Sequence, residues 1–205
     1  MRKITLPFVA ILAVSCFVSC QHQQESLPEN DLYSEMVNYS HRLGSLFQTI
    51  HTYQTRSDDL TYYKEQESEI DYSVLDDKII NYLDLYTQSE DINNWDEQAV
   101  LYKVSKDPTL EDDAKVTIAR SIAFAYYIKN TSEFALTRAV TAEECYQAYK
   151  KASNRALRRA LFTLAVGLLE PTLAGEALAV GIYAFDMMDA EEDLNDCLAK
   201  TRIEL

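Results

Sequence analysis

Residues 141–199 read TAEECYQAYKKASNRALRRALFTLAVGLLEPTLAGEALAVGIYAFDMMDAEEDLNDCLA, and this stretch decides the fold. Thr141-x-x-Glu144 is a capping box, a hydroxyl and a carboxylate placed to satisfy the first free N–H groups of a helix. The helix it opens runs to about Leu169, where Glu170-Pro171-Thr172 breaks it, because proline lacks the N–H that the next turn needs. A second helix then continues to about Ala199. With Pro171 at the turn, antiparallel packing sets residue i opposite roughly 342 − i, so Cys145 and Cys197 each lie 26 residues from the turn. The same map puts Lys150 and Lys151 opposite Glu192 and Glu191, Arg155 near Asp186 and Asp189, and Glu143 near Lys200. The expectation is a long helical hairpin over 141–200, clamped at its open end by a Cys145–Cys197 disulfide. Such a bridge needs Cα atoms within about 7 Å.

Working outward, the rest of the chain reads as helix as well. Only four glycines and four prolines occur in 205 residues, too few for a turn-rich β-sandwich or barrel. Ser26-Leu27-Pro28-Glu29 is a second capping box, followed by Leu32, Met36, Tyr39, Leu43, Leu46, Ile50 and Tyr53 at spacings of four and three, one apolar seam along a helix. The pattern breaks at Arg56–Asp59, and a weak helix carrying Leu60 and Tyr63 follows. Ser73 is placed to cap a helix with Leu75, Ile79, Tyr82, Leu83 and Tyr86 on its buried side. A shorter helix bears Trp95, Ala99 and Tyr102 and ends at Asp107-Pro108. Thr109-x-x-Asp112 opens one whose face holds Val116, Ile118, Ile122, Ala125 and Tyr126 and which closes at 130–132. A short segment, 133–140, leads to the hairpin. The fold class expected is all-α, a bundle of about seven or eight helices in a single domain over residues 26–205.

The N-terminus is of another kind. Arg2 and Lys3 precede an apolar run from Ile4 to Val18, and small Ser19 stands before Cys20. That order is a secretory signal rather than a membrane span. Phe17-Val18-Ser19-Cys20 resembles the lipobox of bacterial lipoprotein precursors. The resemblance covers about the first 20 residues and implies a signal peptide over 1–19, lipidation (palmitate among the acyl chains) of Cys20, and a polar tether over 20–25. Ala13-Val14-Ser15-Cys16 offers a rival anchor four residues earlier. Parity favours Cys20, which leaves Cys145 and Cys197 as a pair, whereas Cys16 leaves an odd thiol in an oxidising compartment. The resemblance thus implies a membrane partner reached through lipid and a cell-envelope location. In a Gram-negative source that means the outer membrane, since Gln21 is not an inner-membrane retention aspartate.

Charge and motif content bound the function. The chain carries a formal net charge of −14; without Arg2 and Lys3 it has 17 basic against 33 acidic residues, a balance of −16. So acidic a surface argues against nucleic acid and against electrostatic docking on anionic lipid. Tyrosine makes up 14 of 22 aromatics, a residue suited to half-buried faces and interfaces. Asp186, Asp189, Asp193 and Asp196 form one helix stripe, a weak cation candidate, because a straight helix cannot wrap its carboxylates around an ion. His41 and His51 lie about 15 Å apart along their helix and cannot share a metal, and His22 lies in the tether. There is no glycine-rich phosphate loop, no H-E-x-x-H and no C-x-x-C, so neither a cofactor nor an enzymatic activity is expected. The function expected is a non-catalytic helical domain that binds a protein or a small ligand. The alternative is a bacteriocin- or toxin-like protein perturbing membranes through the apolar stretch 160–185.

Overall fold

A computed structural model describes residues 27–53, 65–66, 68–131, 143–169 and 175–203. The described residues form an all-α domain with six α-helices: α1 (Glu29–Tyr53), α2 (Asp77–Tyr86), α3 (Glu97–Lys106), α4 (Asp112–Asn130), α5 (Glu143–Leu169) and α6 (Gly175–Ile203). Two single 3-10 turns, Tyr72–Val74 and Ile92–Asn94, precede α2 and α3. The leader, tether and Cys16/Cys20 readings lie outside the described residues. So do the Ser26 and Thr141 halves of the capping boxes, the segments 54–64 and 132–142, and the Pro171 break.

Aspartates begin the short helices. Asp76 accepts from the Lys78 N–H at 2.7 Å, Asp96 from Ala99 at 2.9 Å, and Asp71 and Asp91 cap the two 3-10 turns in the same way. This corrects two sequence expectations. Ser73 lies inside a 3-10 turn and caps nothing, since Asp76 is the residue next to the helix start. Thr109 does not open α4; its N–H and hydroxyl both donate to Asp107 at 2.8 and 2.7 Å, closing the loop after α3. Glu111 stands at the N-cap of α4 without a side-chain bond.

The core lies where α4 crosses the domain, with α4 packed on α1, α2, α3 and α5. Ile118, Ala119, Ile122, Ala123, Phe124 and Ala125 are fully buried, so α4 is enclosed on nearly all sides rather than along one face. Leu32, Met36, Tyr39 and Leu43 of α1 are buried as their spacing requires. Beyond Leu43 the seam shifts to Phe47, which stacks on Tyr127 (centroids 4.9 Å) and meets Phe124 (5.3 Å) and Tyr183 (6.1 Å). On α3 the buried side is Val100, Leu101 and Val104; of the residues that mark this helix in the sequence, Trp95 is buried just ahead of it and Ala99 and Tyr102 face solvent. Each large apolar side chain taken fully from water contributes about 1.5–3 kcal/mol.

The largest helix contact is between α5 and α6. Cys145 near the start of α5 is bonded to Cys197 near the end of α6, with Cα atoms 5.8 Å apart. At the other end Gly167 and Gly175 touch so closely that a Cβ on either would lie 2.5 Å from the other's Cα. The two helices therefore run antiparallel. Within the apolar stretch 160–185, Leu161, Leu164, Ala165, Ala179, Val180 and Tyr183 are buried in the core. Among the described residues no helix is long and apolar enough to cross a membrane.

Candidate functional site

Two polar clusters join the helices from inside. The first lies where α2, α3 and α4 converge. Trp95 is buried just ahead of α3 and donates its indole N–H to the Ser89 carbonyl at 2.8 Å. That fixes the start of α3 and with it Glu97 in its first turn. Lys129, in the last turn of α4, donates from Nζ to Glu97 Oε1 at 2.7 Å and to the Trp95 carbonyl at 2.6 Å. Tyr86 closes the set by donating its hydroxyl to the same Glu97 oxygen at 2.7 Å.

Glu97 and Lys129 keep only 14% and 20% of their side-chain surface, so this ion pair is partly desolvated and a lone member would be costly. Burial, reinforced by the Glu97 carboxylate, pushes the Tyr86 hydroxyl well above its ordinary range. A tyrosine shifted in that direction is a donor at neutral pH and not a base. Nearby, Tyr126 is held up chiefly by its hydrogen bond with Tyr33, and the two rings meet edge-on at 6.4 Å.

The second cluster ties α1 to α4 and α6. Tyr39 donates to Glu176 Oε1 at 2.5 Å, and Arg42 pairs with the same oxygen at 2.9 Å. Arg120 of α4 donates to Glu35 at 2.6 Å. The Arg42 and Arg120 guanidinium carbons lie 5.7 and 5.5 Å from the centre of the Tyr39 ring, within range of cation–π attraction. Burial first, and then Glu176, raises the Tyr39 hydroxyl far above its usual range. Glu176 also sits in the first turn of α6, where a carboxylate offsets the positive end of the helix dipole.

Neither cluster was foreseen from sequence. The partners are up to 137 residues apart, and the only signal was the abundance of tyrosine. In both, the carboxylates, cations and phenols are satisfied by one another, so what the arrangement does chemically is hold helix ends together. Lys115 follows the same economy: it is 2% exposed, and its ammonium lies 3.6 Å from Asp112 one turn earlier.

The residues singled out from sequence fare unequally. Cys145 and Cys197 are joined. The expected ion pairs across α5 and α6 are corrected. Asp186 bonds Arg159 (3.1 Å), while the Arg155 Nε turns back to the Lys151 carbonyl at 3.3 Å. Lys150 reaches across to Asp91 before α3 (2.6 Å), which holds that carboxyl below its usual range. The integer map ignored where around each helix a side chain projects; Arg159 lies on the flank that meets α6, and Lys150 on the flank that meets the 3-10 turn. Asp189, Asp193 and Asp196 are exposed and Asp186 is half-buried. No group of three metal-binding side chains occurs among the described residues. His41 is exposed on α1.

No protein-family model matches the chain, and comparison with curated proteins and with solved structures likewise gives no match.

Proposed function

We propose that this protein is a cell-envelope lipoprotein, anchored through Cys20, whose helical domain acts by binding a protein or small ligand rather than by catalysis. The observation that carries this reading is the Cys145–Cys197 bond. Disulfides persist in oxidising compartments, and this one engages both cysteines outside the leader-like stretch, leaving Cys16 and Cys20 as the anchor candidates. In the finer architecture we read α5, residues 170–174 and α6 as one long hairpin ending a bundle of seven or eight helices. The clusters of Tyr86, Glu97 and Lys129 and of Tyr39, Arg42 and Glu176 give the domain a stiff frame, and its outward surface is left for a partner.

Labelling cells with radioactive palmitate tests the anchor. Label is expected in the wild type and in Cys16→Ala, and none in Cys20→Ala; equal label in Cys20→Ala overturns the assignment. In a Gram-negative host the labelled protein is expected with the outer membrane. Liposome leakage separates binding from the toxin-like alternative: the binding reading expects intact vesicles, and leakage that depends on the 160–185 stretch would replace it.

A further inference from the structure

The charge of this acidic chain is segregated along two neighbouring helices. From Cys145 to Leu169, α5 contains five basic residues and no acidic one, whereas α6 contains seven acidic and two basic residues. Lys151, Arg155, Arg158 and Arg159 stand at i, i+4, i+7 and i+8, so they line one side of α5 over about 12 Å. Asp189, Glu192, Asp193 and Asp196 stand at i, i+3, i+4 and i+7 and line one side of α6 over about 10 Å. All eight are exposed.

The disulfide and the helical period show where these stripes lie. At about 100° per residue each stripe is centred roughly 90° from the cysteine of its own helix, on the side away from the buried residues. The two helices are antiparallel, so their angular senses are opposite, and both stripes fall on the same outer face of the α5–α6 pair. Two members of the basic stripe are already paired within the chain, Arg159 with Asp186 and Arg158 with Asp84, so Lys151 and Arg155 are the cations it presents outward. The stripes are staggered: the basic one is centred near Arg155, the acidic one beside the disulfide end.

We propose that this face is where two copies of the chain associate, the basic stripe of each lying on the acidic stripe of the other. The stripes are offset by about 9 Å along helices about 10 Å apart. The two-fold axis that exchanges them therefore lies oblique in the face, and the two helix pairs cross steeply with both stripe contacts made at once, as an isologous interface requires. With the pairs crossed, the overlap is about 20 by 20 Å from the width of two helices, at the low end of the range for protein interfaces, so the dimer expected is a weak one. The net charge of −14 opposes association at long range. At about 0.15 M salt, however, repulsion beyond roughly 8 Å is screened, while opposite charges in contact are screened much less.

Sedimentation equilibrium of the intact chain in mild detergent, at about 0.15 M and about 1 M salt, tests this. A dimer is expected at the lower salt, with its dissociation constant raised about tenfold or more at the higher. Lys151→Glu with Arg155→Glu, and separately Asp193→Lys with Asp196→Lys, are each expected to give monomers with unchanged helical circular dichroism. Mixing the two variants restores a dimer, because the two introduced glutamates of one then face the two introduced lysines of the other, while the second stripe contact is unchanged. A wild type that is monomeric at both salts, reversals without effect on association, or a mixture that stays monomeric would each overturn the proposal.

Discussion

At the scale of single residues, tyrosine hydroxyls act as buried donors. Tyr86→Phe removes a bond to a carboxylate 14% exposed, leaving Glu97 with Lys129 alone. The expected cost is about 1–3 kcal/mol, read as a lower urea midpoint at unchanged slope. Glycine gives a contrast decided by magnitude. Replacing a helical glycine by alanine gains about 1 kcal/mol of helix propensity. At Gly175 the new methyl would sit 2.5 Å from the Gly167 backbone, and forcing the helices apart costs about 1–3 kcal/mol, so Gly175→Ala is expected to destabilise. At Gly44 the obstacle is the Tyr127 ring at 2.8 Å, which can swing, so Gly44→Ala is expected to be close to neutral in the same measurement. Sequence spacing disclosed that Tyr39 and Tyr86 face inward. It could not disclose Glu176 and Glu97 as their acceptors, because periodicity reports which side of a helix is buried and nothing about what it is buried against.

At the scale of elements, the α5–α6 pair was the most legible part of the molecule. Two cysteines at equal distances from a proline reported contact directly. Removing the bridge with Cys145→Ser and Cys197→Ser is expected to cost about 4 kcal/mol, the chain entropy released by opening a loop of this length. Thermal melts with and without reductant would check it: the wild type should fall to the variant's midpoint, and the variant should not move. The short helices were harder. α3 spans ten residues, fewer than three turns, and within so short a window Ala99 and Tyr102 fit a helical face as well as Val100, Leu101 and Val104 do. Competition among nearby side chains hid its boundaries too, since Asp71, Asp76, Asp91 and Asp96 each cap something and a serine or threonine nearby looks equally suitable.

At the scale of the whole molecule, the phenols give stability an alkaline limit. Tyr82, whose hydroxyl donates to Asp107 at 2.9 Å, is raised to about 12 by burial and that carboxylate; Tyr39, Tyr86 and Tyr183 are also held well above their ordinary range, burial leading in each. In the unfolded chain these groups ionise near pH 10. Their contribution is therefore complete below pH 10 and is lost as pH climbs from 10 toward 12 and beyond, because the unfolded state sheds protons that the folded state keeps. Melting temperature should be flat up to about pH 9.5 and fall steeply above 10, and a subset of tyrosines should ionise in ultraviolet titration only as the chain unfolds. The all-helical class was legible at this scale from scarce glycine and proline. The enclosure of α4 was not: Lys115, Thr117 and Ser121 are buried beside its apolar residues, and polar residues inside a helix read, in sequence, as an outer face.

The Cys145–Cys197 bond also changes what a protease can do to this chain. Any single cut between residues 145 and 197, including one in the stretch that joins α5 to α6, separates the peptide backbone without separating the molecule. A nicked form would migrate as one band on a non-reducing gel and as two after reduction.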